Sequence, residues 1–355
     1  MKILISGVCG FVGSTLAHGL LDNVSSREII GLDNLSRAGS PLNLAALRKR
    51  GIKFRHGDLR CPSDLEVVGE IDWIIDAAAN PSVLAGVDGT TSSRQLIEHN
   101  LYGTVNLLEL AKKHKAGFTL LSTSRVYSVK ALSEIPVVVE KSAFEPDLAV
   151  PLPQGVSEHG IAETFSTASP VSLYGASKVA SEVVALEYGE AFDFPVWINR
   201  CGVLAGAGQF GHAEQGIFSF WINAYLQRRP LRYIGFDGAG HQSRDCFHPR
   251  DLLPLLEKQF ATDSDKPRVM NLGGGSANTM SLAQLSQWCE ARFGPHQIAA
   301  DTTPRPFDVP WLVMDSRLAE KTWGWRPTIK LEAILEEIAQ HAEAHSNWLE
   351  ISSAS

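Results

Sequence analysis

The residue types best suited to chemistry lie in the stretch Tyr174-Gly-Ala-Ser-Lys178. Side chains four positions apart share one face of a helix, so the Lys178 ammonium is expected near the Tyr174 phenol. A free phenol has a pKa of about 10 and is a poor base at neutral pH. A neighbouring ammonium and a cationic nicotinamide ring both favour the phenolate, which would make Tyr174 a proton acceptor. The alternative is a surface coincidence, because this spacing is common.

A hydroxyl donor for the same chemistry is available earlier in the chain. The stretch Ser122-Thr-Ser-Arg-Val-Tyr127 directly follows an apolar run, Phe118–Leu121, that is typical of a buried strand. Several hydroxyls in this stretch could face the phenol, and the residues alone do not select one. A Tyr-Lys pair that follows such a strand in a dinucleotide-binding fold favours catalysis over coincidence.

A phosphate site is predicted at the start of the chain. The apolar run Ile3–Ile5 reads as a strand, and glycines then recur at Gly7, Gly10 and Gly13 before an apolar helix pattern. Glycine lets the backbone approach a pyrophosphate, whose charge the free N–H groups of the helix's first turn can meet. The spacing differs from Gly-x-Gly-x-x-Gly, so a glycine turn without a ligand is the alternative.

The end of the next strand indicates which dinucleotide is bound. This strand ends in Asp33, at the position where the ribose of a dinucleotide needs a hydrogen-bond acceptor. A carboxylate there would repel the 2′-phosphate of NADP, which favours NAD as the cofactor. Arg37 keeps the NADP alternative open.

The elements that must position these residues alternate along the chain. Further strand patterns occur at 52–56, 73–77, 118–122, 196–200 and 269–272, with helix patterns between them, including 100–114 and 174–192. This alternation predicts an α/β fold, a Rossmann-type doubly wound parallel sheet with a smaller substrate-binding lobe. We expect residues 1–200 to form the NAD-binding domain, to which 242–274 return, and 201–241 and 275–350 to form the lobe. The proline-rich segment 129–172 reads as a long loop over the site.

Composition excludes several other classes of protein. The 355 residues are 44% hydrophobic and 20% charged with a net charge of −7, which indicates a globular protein that binds neither nucleic acid nor membrane. The five cysteines show no paired spacing and are expected to be reduced thiols. Because the sequence starts directly with a strand, we expect no signal peptide and a cytoplasmic location. The histidines show no ligand spacing, so no metal is expected.

The order of these motifs resembles the extended short-chain dehydrogenase/reductase family over nearly the whole chain. The matching elements are Gly7 to Gly13, Asp33-Asn-Leu, Asp58-Leu59, Ala77-Ala-Ala79, Asn100, the hydroxyl-rich strand end and Tyr174-x-x-x-Lys178. The resemblance implies catalysis by Thr123, Tyr174 and Lys178. It implies that the cofactor contacts, besides Tyr174 and Lys178, are Gly7, Gly10, Phe11, Val12, Gly13, Asp33, Asn34, Ser36, Arg37, Asp58, Leu59, Ala77, Ala78, Ala79 and Asn100.

A second set of motifs is similar to the nucleotide-sugar branch of that family. It comprises Arg244-Asp245 with Asp251, Asn271-Leu-Gly273, Arg305-Pro-Phe-Asp308 and Trp323-Gly-Trp-Arg-Pro327. The resemblance implies that Arg244 and Arg305 hold a diphosphate, with Thr123, Gln209 and Asp308 as further substrate contacts. The alternative for each arginine is a surface salt bridge, whereas Trp323 and Trp325 are expected in the core.

Within that branch the chain is most similar to the 2-epimerases of CDP-sugars, through Asp33–Arg37, Ser169–Tyr174 and Glu214-Gln-Gly216. The implied reaction is reversible oxidation of a sugar hydroxyl, with Tyr174 taking its proton, and re-reduction from the other face. The rivals are a UDP-sugar 4-epimerase, a dehydrogenase or reductase that releases NADH, a 4,6-dehydratase and an inactive NAD-binding regulator. Dehydratases carry Asp-Glu after the threonine, where this chain has Ser124-Arg125. A homodimer through the two long helices is a family-level expectation.

Overall fold

A computed structural model describes residues 1–24, 26–87, 89, 92–262 and 265–353 of the chain. Its strands are β1 (Lys2–Ser6), β2 (Glu28–Asp33), β3 (Lys53–His56), β4 (Trp73–Asp76), β5 (Gly117–Thr123), β6 (Val137–Glu140), β7 (Ala143–Pro146), β8 (Val156–Ser157), β9 (Gly160–Ile161), β10 (Val196–Cys201), β11 (Val203–Leu204), β12 (Leu231–Ile234), β13 (Ser243–Phe247), β14 (Val269–Leu272), β15 (Thr279–Ser281), β16 (Ile298–Asp301) and β17 (Trp311–Leu312). Its α-helices are α1 (Phe11–Asn23), α2 (Pro41–Lys49), α3 (Pro62–Glu66), α4 (Ser93–Ile97), α5 (Gly103–His114), α6 (Val129–Ser133), α7 (Ser172–Phe192), α8 (Ile217–Leu226), α9 (Leu253–Phe260), α10 (Leu282–Phe293), α11 (Arg317–Trp323), α12 (Leu331–Ala344) and α13 (Trp348–Ser353).

The central sheet has seven parallel strands in the order β14-β10-β5-β4-β1-β2-β3. Its inner strands, such as β1 and β4, are mostly apolar because both faces are covered, whereas the edge strand β3 is polar and largely exposed. Ile3 and Ile5 face the core formed with α1 and α9, whereas Leu4 faces the core formed with α5 and α7. Strand order reverses at β1, and the crevice at such a point is where sheets of this kind bind ligands. The predicted Rossmann-type fold is confirmed.

A smaller cluster of elements lies at the carboxyl end of the sheet. Its core packs α8 against α10 and α12, with Phe218, Trp221 and Ile338 among its buried residues. Strand β13 does not enter the large sheet but pairs with β11, β15 and β17. Trp323 and Trp325 are buried in the core of the large sheet, as expected, so this part of the segment 275–350 packs on the first domain.

The segment 129–172 differs from its prediction. It holds helix α6 and two antiparallel hairpins, β6–β7 and β8–β9, and none of its residues lines the main cleft. Its buried side chains, such as Ile161 and Phe165, pack with Trp311 and Met314 from far along the chain. The prediction of a loop over the site is therefore wrong, because these hairpins depend on tertiary contacts that leave no local periodicity.

The helix predicted over 100–114 begins earlier than expected. Helix α4 runs through a π-helical turn, Glu98–Tyr102, directly into α5. Such π-turns are rare and frequently occur at functional sites. Here the turn carries Asn100, whose contacts are described below. No helix in the described ranges has the length and apolar character needed to cross a membrane.

Asp245 on β13 should make the stability of the fold depend on pH. This carboxyl is 1% exposed, and its burial raises its pKa to about 7. The backbone N–H groups of Gly275 and Met314 have the opposite, smaller effect and lower this pKa. A folded-state pKa above the unfolded value means that the folded chain keeps a proton that the unfolded chain has lost. The stabilising contribution is thus complete below about pH 4 and is lost as the pH rises to about 7, by at most about 1.4 kcal/mol per pH unit.

We therefore expect the wild-type free energy of unfolding, minus that of Asp245→Asn, to fall between about pH 4 and pH 7 and then level off. Urea unfolding at several pH values measures this difference. Taking the difference removes the opposite trend of carboxylates whose pKa is lowered in the fold, such as Asp58. Parallel pH profiles for the two proteins would show that Asp245 does not titrate in this range.

Candidate active site

The predicted site residues converge on one cleft of about 940 Å³ between the sheet and the smaller lobe, a size that suits a cofactor and a small substrate. Nearly all of them line it. Those present are Gly7, Gly10, Phe11, Val12, Gly13, Asp33, Asn34, Ser36, Arg37, Asp58, Leu59, Ala77, Ala78, Ala79, Thr123, Tyr174, Gln209, Arg244, Arg305 and Asp308. Lys178 and Asn100 lie behind the wall of the cleft.

The glycine turn has the shape that a dinucleotide needs. Gly7 has a φ of +64°, and a side chain there would meet the Ala78 backbone at 3.0 Å. A side chain on Gly13 would lie 2.2 Å from the Gly7 carbonyl oxygen, so the first turn of α1 packs directly on the loop. Gly10 caps α1 without a side-chain hydrogen bond from the described residues, which leaves the first N–H groups of the helix for an anion. These residues fit a pyrophosphate.

Asp33 is held at the end of β2 by two backbone hydrogen bonds. Its carboxylate oxygens accept from the N–H groups of Leu35 at 2.8 Å and Cys9 at 2.9 Å. Burial raises the pKa of this carboxyl, and the two N–H groups partly offset the shift. Arg37, which had kept NADP open, donates to the carbonyl oxygen of Phe210 and so connects this turn to the loop that carries Gln209. One nitrogen of the Arg37 guanidinium is thus engaged by the protein.

Asn100 supports the site from behind rather than lining it. Its side chain accepts from the Asn80 N–H at 2.8 Å and donates to the Asn80 carbonyl and the Ser177 hydroxyl. It therefore fastens the segment after β4 to helix α7. The sequence-based expectation of a direct cofactor contact is not met, because the π-turn directs this amide at protein partners.

Tyr174 and Thr123 meet at the carboxyl end of the sheet. Both side chains line the cleft, and Tyr174 is only 7% exposed. Helix α7 can approach this closely because Gly175 lies against the Arg125 carbonyl oxygen, which a side chain would meet at 2.4 Å. Burial raises the pKa of Tyr174 to about 12, whereas the Thr123 hydroxyl and the Arg125 guanidinium lower it. Arg125 is therefore a second cation, besides Lys178, that can favour the phenolate.

Lys178 lies one turn further along α7 and is 1% exposed. Burial lowers the pKa of its ammonium, and the carboxylates of Asp76 and Glu182 raise it. Asp76 is fixed by the hydroxyls of Ser6 and Thr104, each at 2.7 Å. The helical spacing places Lys178 on the expected face, but its charge is balanced by acids beneath the cleft.

The other half of the cleft is strongly cationic. Arg125, Arg244 and Arg305 lie close enough to perturb one another, with the Asp308 carboxylate among them. Arg244 donates to Asp308 at 3.1 Å and to the Val309 carbonyl at 2.8 Å, and both charged side chains are more than four-fifths buried. The alternative of a surface salt bridge therefore does not apply to Arg244. Three guanidinium groups against one carboxylate leave two positive charges for a ligand.

Three buried amide oxygens of cleft residues lack a partner within the described part of the chain. They are the Oε1 atoms of Gln209, Gln215 and Gln242. Two of these amides are fixed through Nε2, that of Gln209 by the Leu204 carbonyl at 2.8 Å and that of Gln242 by the Ile234 carbonyl and Asp308. Buried acceptors are normally satisfied, so these oxygens suit the hydroxyl or amino groups of a ligand.

Sequence reasoning missed Gln242 and assigned no role to Arg125. Arg125 follows Thr123 by two positions, so its place at a strand end was a usable signal. Gln242 precedes β13 in an irregular stretch and offers no such signal. Among the described residues no cluster of three or more His, Cys, Asp or Glu side chains could hold a metal ion.

Comparison with known proteins gives the site a context. The chain is 27% identical to a CDP-paratose 2-epimerase of Salmonella typhi over 342 residues, which cover 93% of this chain and 95% of the relative. It is 26% identical to a dTDP-glucose 4,6-dehydratase of Streptomyces griseus, covering 98% and 96%. Among solved structures, the UDP-glucose 4-epimerase of Bifidobacterium longum in complex with NAD+ and UDP superposes with a TM-score of 0.78 at 22% identity, covering 98% and 100%.

The family assignment rests on a match that covers most of the chain and includes several of the motifs described above. Residues 3–273 match the NAD dependent epimerase/dehydratase family, from the first strand to the glycines that follow β14. That range includes the glycine turn, Asp33, Thr123, Tyr174 and Arg244. The chain therefore belongs to the NAD-dependent epimerase/dehydratase family, and NAD is its cofactor.

Proposed function

We propose that this protein is an NAD-dependent epimerase of nucleotide-diphosphate sugars, and more narrowly a CDP-sugar 2-epimerase of the CDP-paratose to CDP-tyvelose type. The observation that carries the choice of epimerase is the pair Ser124-Arg125 directly after Thr123. Arg125 lines the cleft beside Tyr174, where an eliminating enzyme needs an acid and a base. The choice of a CDP-sugar is supported by the full-length similarity to the Salmonella enzyme.

The residues have distinct roles in this proposal. Tyr174 takes the proton of the sugar hydroxyl and returns it after the sugar has turned over. Thr123 shares the hydrogen bond to the developing carbonyl, and Arg125 stabilises the negative charge on the phenolate. The carboxylates of Asp76 and Glu182 favour the charged form of Lys178, which places a positive charge beneath the cofactor site. Bound NAD supplies a hydride acceptor that also acts as the donor in the reverse half of the cycle.

The keto-sugar must stay bound while it turns over. Arg244 and Arg305 bind the diphosphate, which does not itself react, and that binding energy retains the intermediate. Gln209 and Asp308 complete the substrate contacts. We infer that the smaller lobe, 201–241 and 275–350 apart from the sheet-packed part around Trp323, carries the nucleotide, whereas 1–200 carries NAD.

Other activities of the same family remain the alternatives. A UDP-sugar 4-epimerase, or another nucleotide-sugar dehydrogenase or reductase, would use the same Tyr174 and Thr123. A 4,6-dehydratase is disfavoured because a guanidinium occupies the position of its acid pair. An inactive regulator is disfavoured because Thr123, Tyr174 and Lys178 are all present and lie at the cleft or directly behind it.

We also propose a cytoplasmic homodimer. The faces of α5 and α7 that point away from the sheet expose large apolar side chains, among them Tyr102 (61%) just before α5 and Val183 (56%) on α7. Pairing of these helices between two copies would cover them. The five cysteines are free thiols, and that of Cys61 is exposed, which is consistent with the reducing environment of the cytoplasm.

Redox-neutral turnover tests the proposed function. With a CDP-sugar substrate, product should form without added NAD, and free NADH absorbance should not accumulate. Substrate deuterated at the epimerised carbon should keep its label in ordinary water, because the hydrogen is held on the retained cofactor and returned. Product analysis by NMR and mass spectrometry measures both outcomes. Loss of the label to solvent would indicate proton abstraction next to a carbonyl, and a stoichiometric rise in NADH would indicate a dehydrogenase.

A further inference from the structure

Arg125 lies between the two functional halves of the cleft. It lies in the short 3₁₀ turn Ser124–Val126 after β5, and its backbone N–H donates to the Thr123 hydroxyl at 3.1 Å. Gly175 of α7 packs on its carbonyl oxygen, next to Tyr174. On the other side its guanidinium donates to the Phe307 carbonyl, next to Asp308, and it lines the same cleft as Arg244 and Arg305. The side chain therefore joins the Tyr174-Thr123 pair to the cationic half of the cleft.

Most of the hydrogen-bonding capacity of Arg125 is available to a ligand. Within the described residues its guanidinium donates one hydrogen bond, from Nη1 to the Phe307 carbonyl oxygen at 3.3 Å. The nearby carboxylate, Asp308, is already bound by Arg244 and Gln242. A guanidinium has five N–H donors, and a partly buried cation is stabilised by an anion, so a bound anion is expected here.

The anion can be identified from the charge of the site. Three guanidinium groups and one carboxylate have a net charge of +2. The diphosphate of a nucleotide-sugar carries two negative charges, one on each phosphate, and so matches this net charge. A sugar carboxylate in addition would leave the site with an excess of negative charge. Guanidinium forks also suit phosphate oxygens because they bind them bidentately.

The covalent structure of a nucleotide-sugar then restricts the reacting carbon. In a nucleotide-sugar the β-phosphate is attached to the anomeric carbon, and the hydroxyl on carbon 2 is its neighbour. The hydroxyl on carbon 4 lies across the ring. A residue beside Tyr174 can therefore hold the β-phosphate while the tyrosine contacts the carbon 2 hydroxyl.

We propose that Arg125 binds the β-phosphate of the substrate next to Tyr174 and thereby presents carbon 2 of the sugar for epimerisation. This inference rests on the proposed function and names the residue that directs the reaction to carbon 2. Arg125 is then a specificity-determining residue, and Arg244 and Arg305 hold the rest of the diphosphate.

The test compares nucleotides that differ only in the β-phosphate. Calorimetric binding of CDP and CMP is measured on the NAD-loaded wild type, on Arg125→Gln and on Arg125→Lys. We expect Arg125→Gln to weaken CDP binding by about 10- to 100-fold and to leave CMP binding unchanged, as for loss of a charged hydrogen bond. Arg125→Lys should lie between the two, because it keeps the charge and loses the fork.

Matched controls separate this contact from other effects. Arg250→Gln removes the same charge from an exposed ion pair with Glu337 outside the cleft and should change neither affinity. Unchanged CDP binding in Arg125→Gln, or an equal loss for CDP and CMP in a protein with normal NAD content and melting temperature, would overturn the proposal. So would product NMR that places the inverted centre at carbon 4. If UDP binds and CDP does not, the base in the proposed function is wrong, and the UDP and UMP pair then tests Arg125.

Discussion

Replacing Tyr174 with phenylalanine should lower kcat by about 10²- to 10⁴-fold, the usual scale for a positioned acid–base group. The phenylalanine ring fills the same buried space, so the fold and the bound NAD should be retained. What is lost is the hydroxyl that shares the cleft with Thr123 and lies in the field of Arg125. Steady-state kinetics with the CDP-sugar, together with the NAD content of the purified variant, measure the effect.

The chain offers a matched control for this substitution. Tyr188 lies on the same helix, donates to Glu109 at 2.7 Å and is remote from the cleft. Tyr188→Phe should leave kcat within a factor of about two, because its hydroxyl only serves an exposed contact. Near-normal turnover of a folded, NAD-loaded Tyr174→Phe enzyme would mean that another group takes the proton.

The parts of the fold that the sequence predicted are those with strong local signals. Ile3–Ile5 and Val196–Ile198 are continuously apolar because parallel strands are covered on both faces. Gly10 and Gly13 are required by backbone contacts within the turn itself, and Gly7 by its positive φ and its contact with the Ala78 backbone. Site residues at the carboxyl ends of such strands then converge without any further information, which is why most predicted residues line one cleft.

The parts that could not be predicted depend on contacts between distant segments. Arg125 meets Arg244 and Arg305 only because the smaller lobe folds over the end of β5. The hairpins in 129–172 depend on packing with Trp311 and Met314. Helical spacing placed Lys178 near Tyr174, but the acids that balance its charge come from β4 and from a later turn of α7. Pattern analysis does not carry such information.

A buried ion pair beneath the cleft gives the largest expected effect on stability. Glu182 accepts three hydrogen bonds from Arg200, the shortest at 2.7 Å, and one from the Ser122 hydroxyl at 2.5 Å. Arg200 also donates to the Tyr127 hydroxyl, which in turn donates to Asn271. The Glu182 and Arg200 side chains are 4% and 10% exposed, so neither charge has water as a substitute partner.

Glu182→Leu should therefore lower the free energy of unfolding by about 3–5 kcal/mol, because it leaves the Arg200 guanidinium buried without an anion. Urea unfolding of the NAD-loaded protein measures the change. Glu336→Ala, which breaks a half-exposed pair with Arg292, is the control and should cost no more than about 1 kcal/mol.

The double variant Glu182→Leu/Arg200→Met separates loss of the pair from loss of packing. It removes both charges and keeps apolar volume, so most of the stability lost in Glu182→Leu should return. Activity should not return with it, because Glu182 also balances the charge of Lys178 beneath the cofactor site. A double variant as unstable as Glu182→Leu would show that the hydrogen bonds to Ser122 and Tyr127, and not the uncompensated charge, determine the stability of this region.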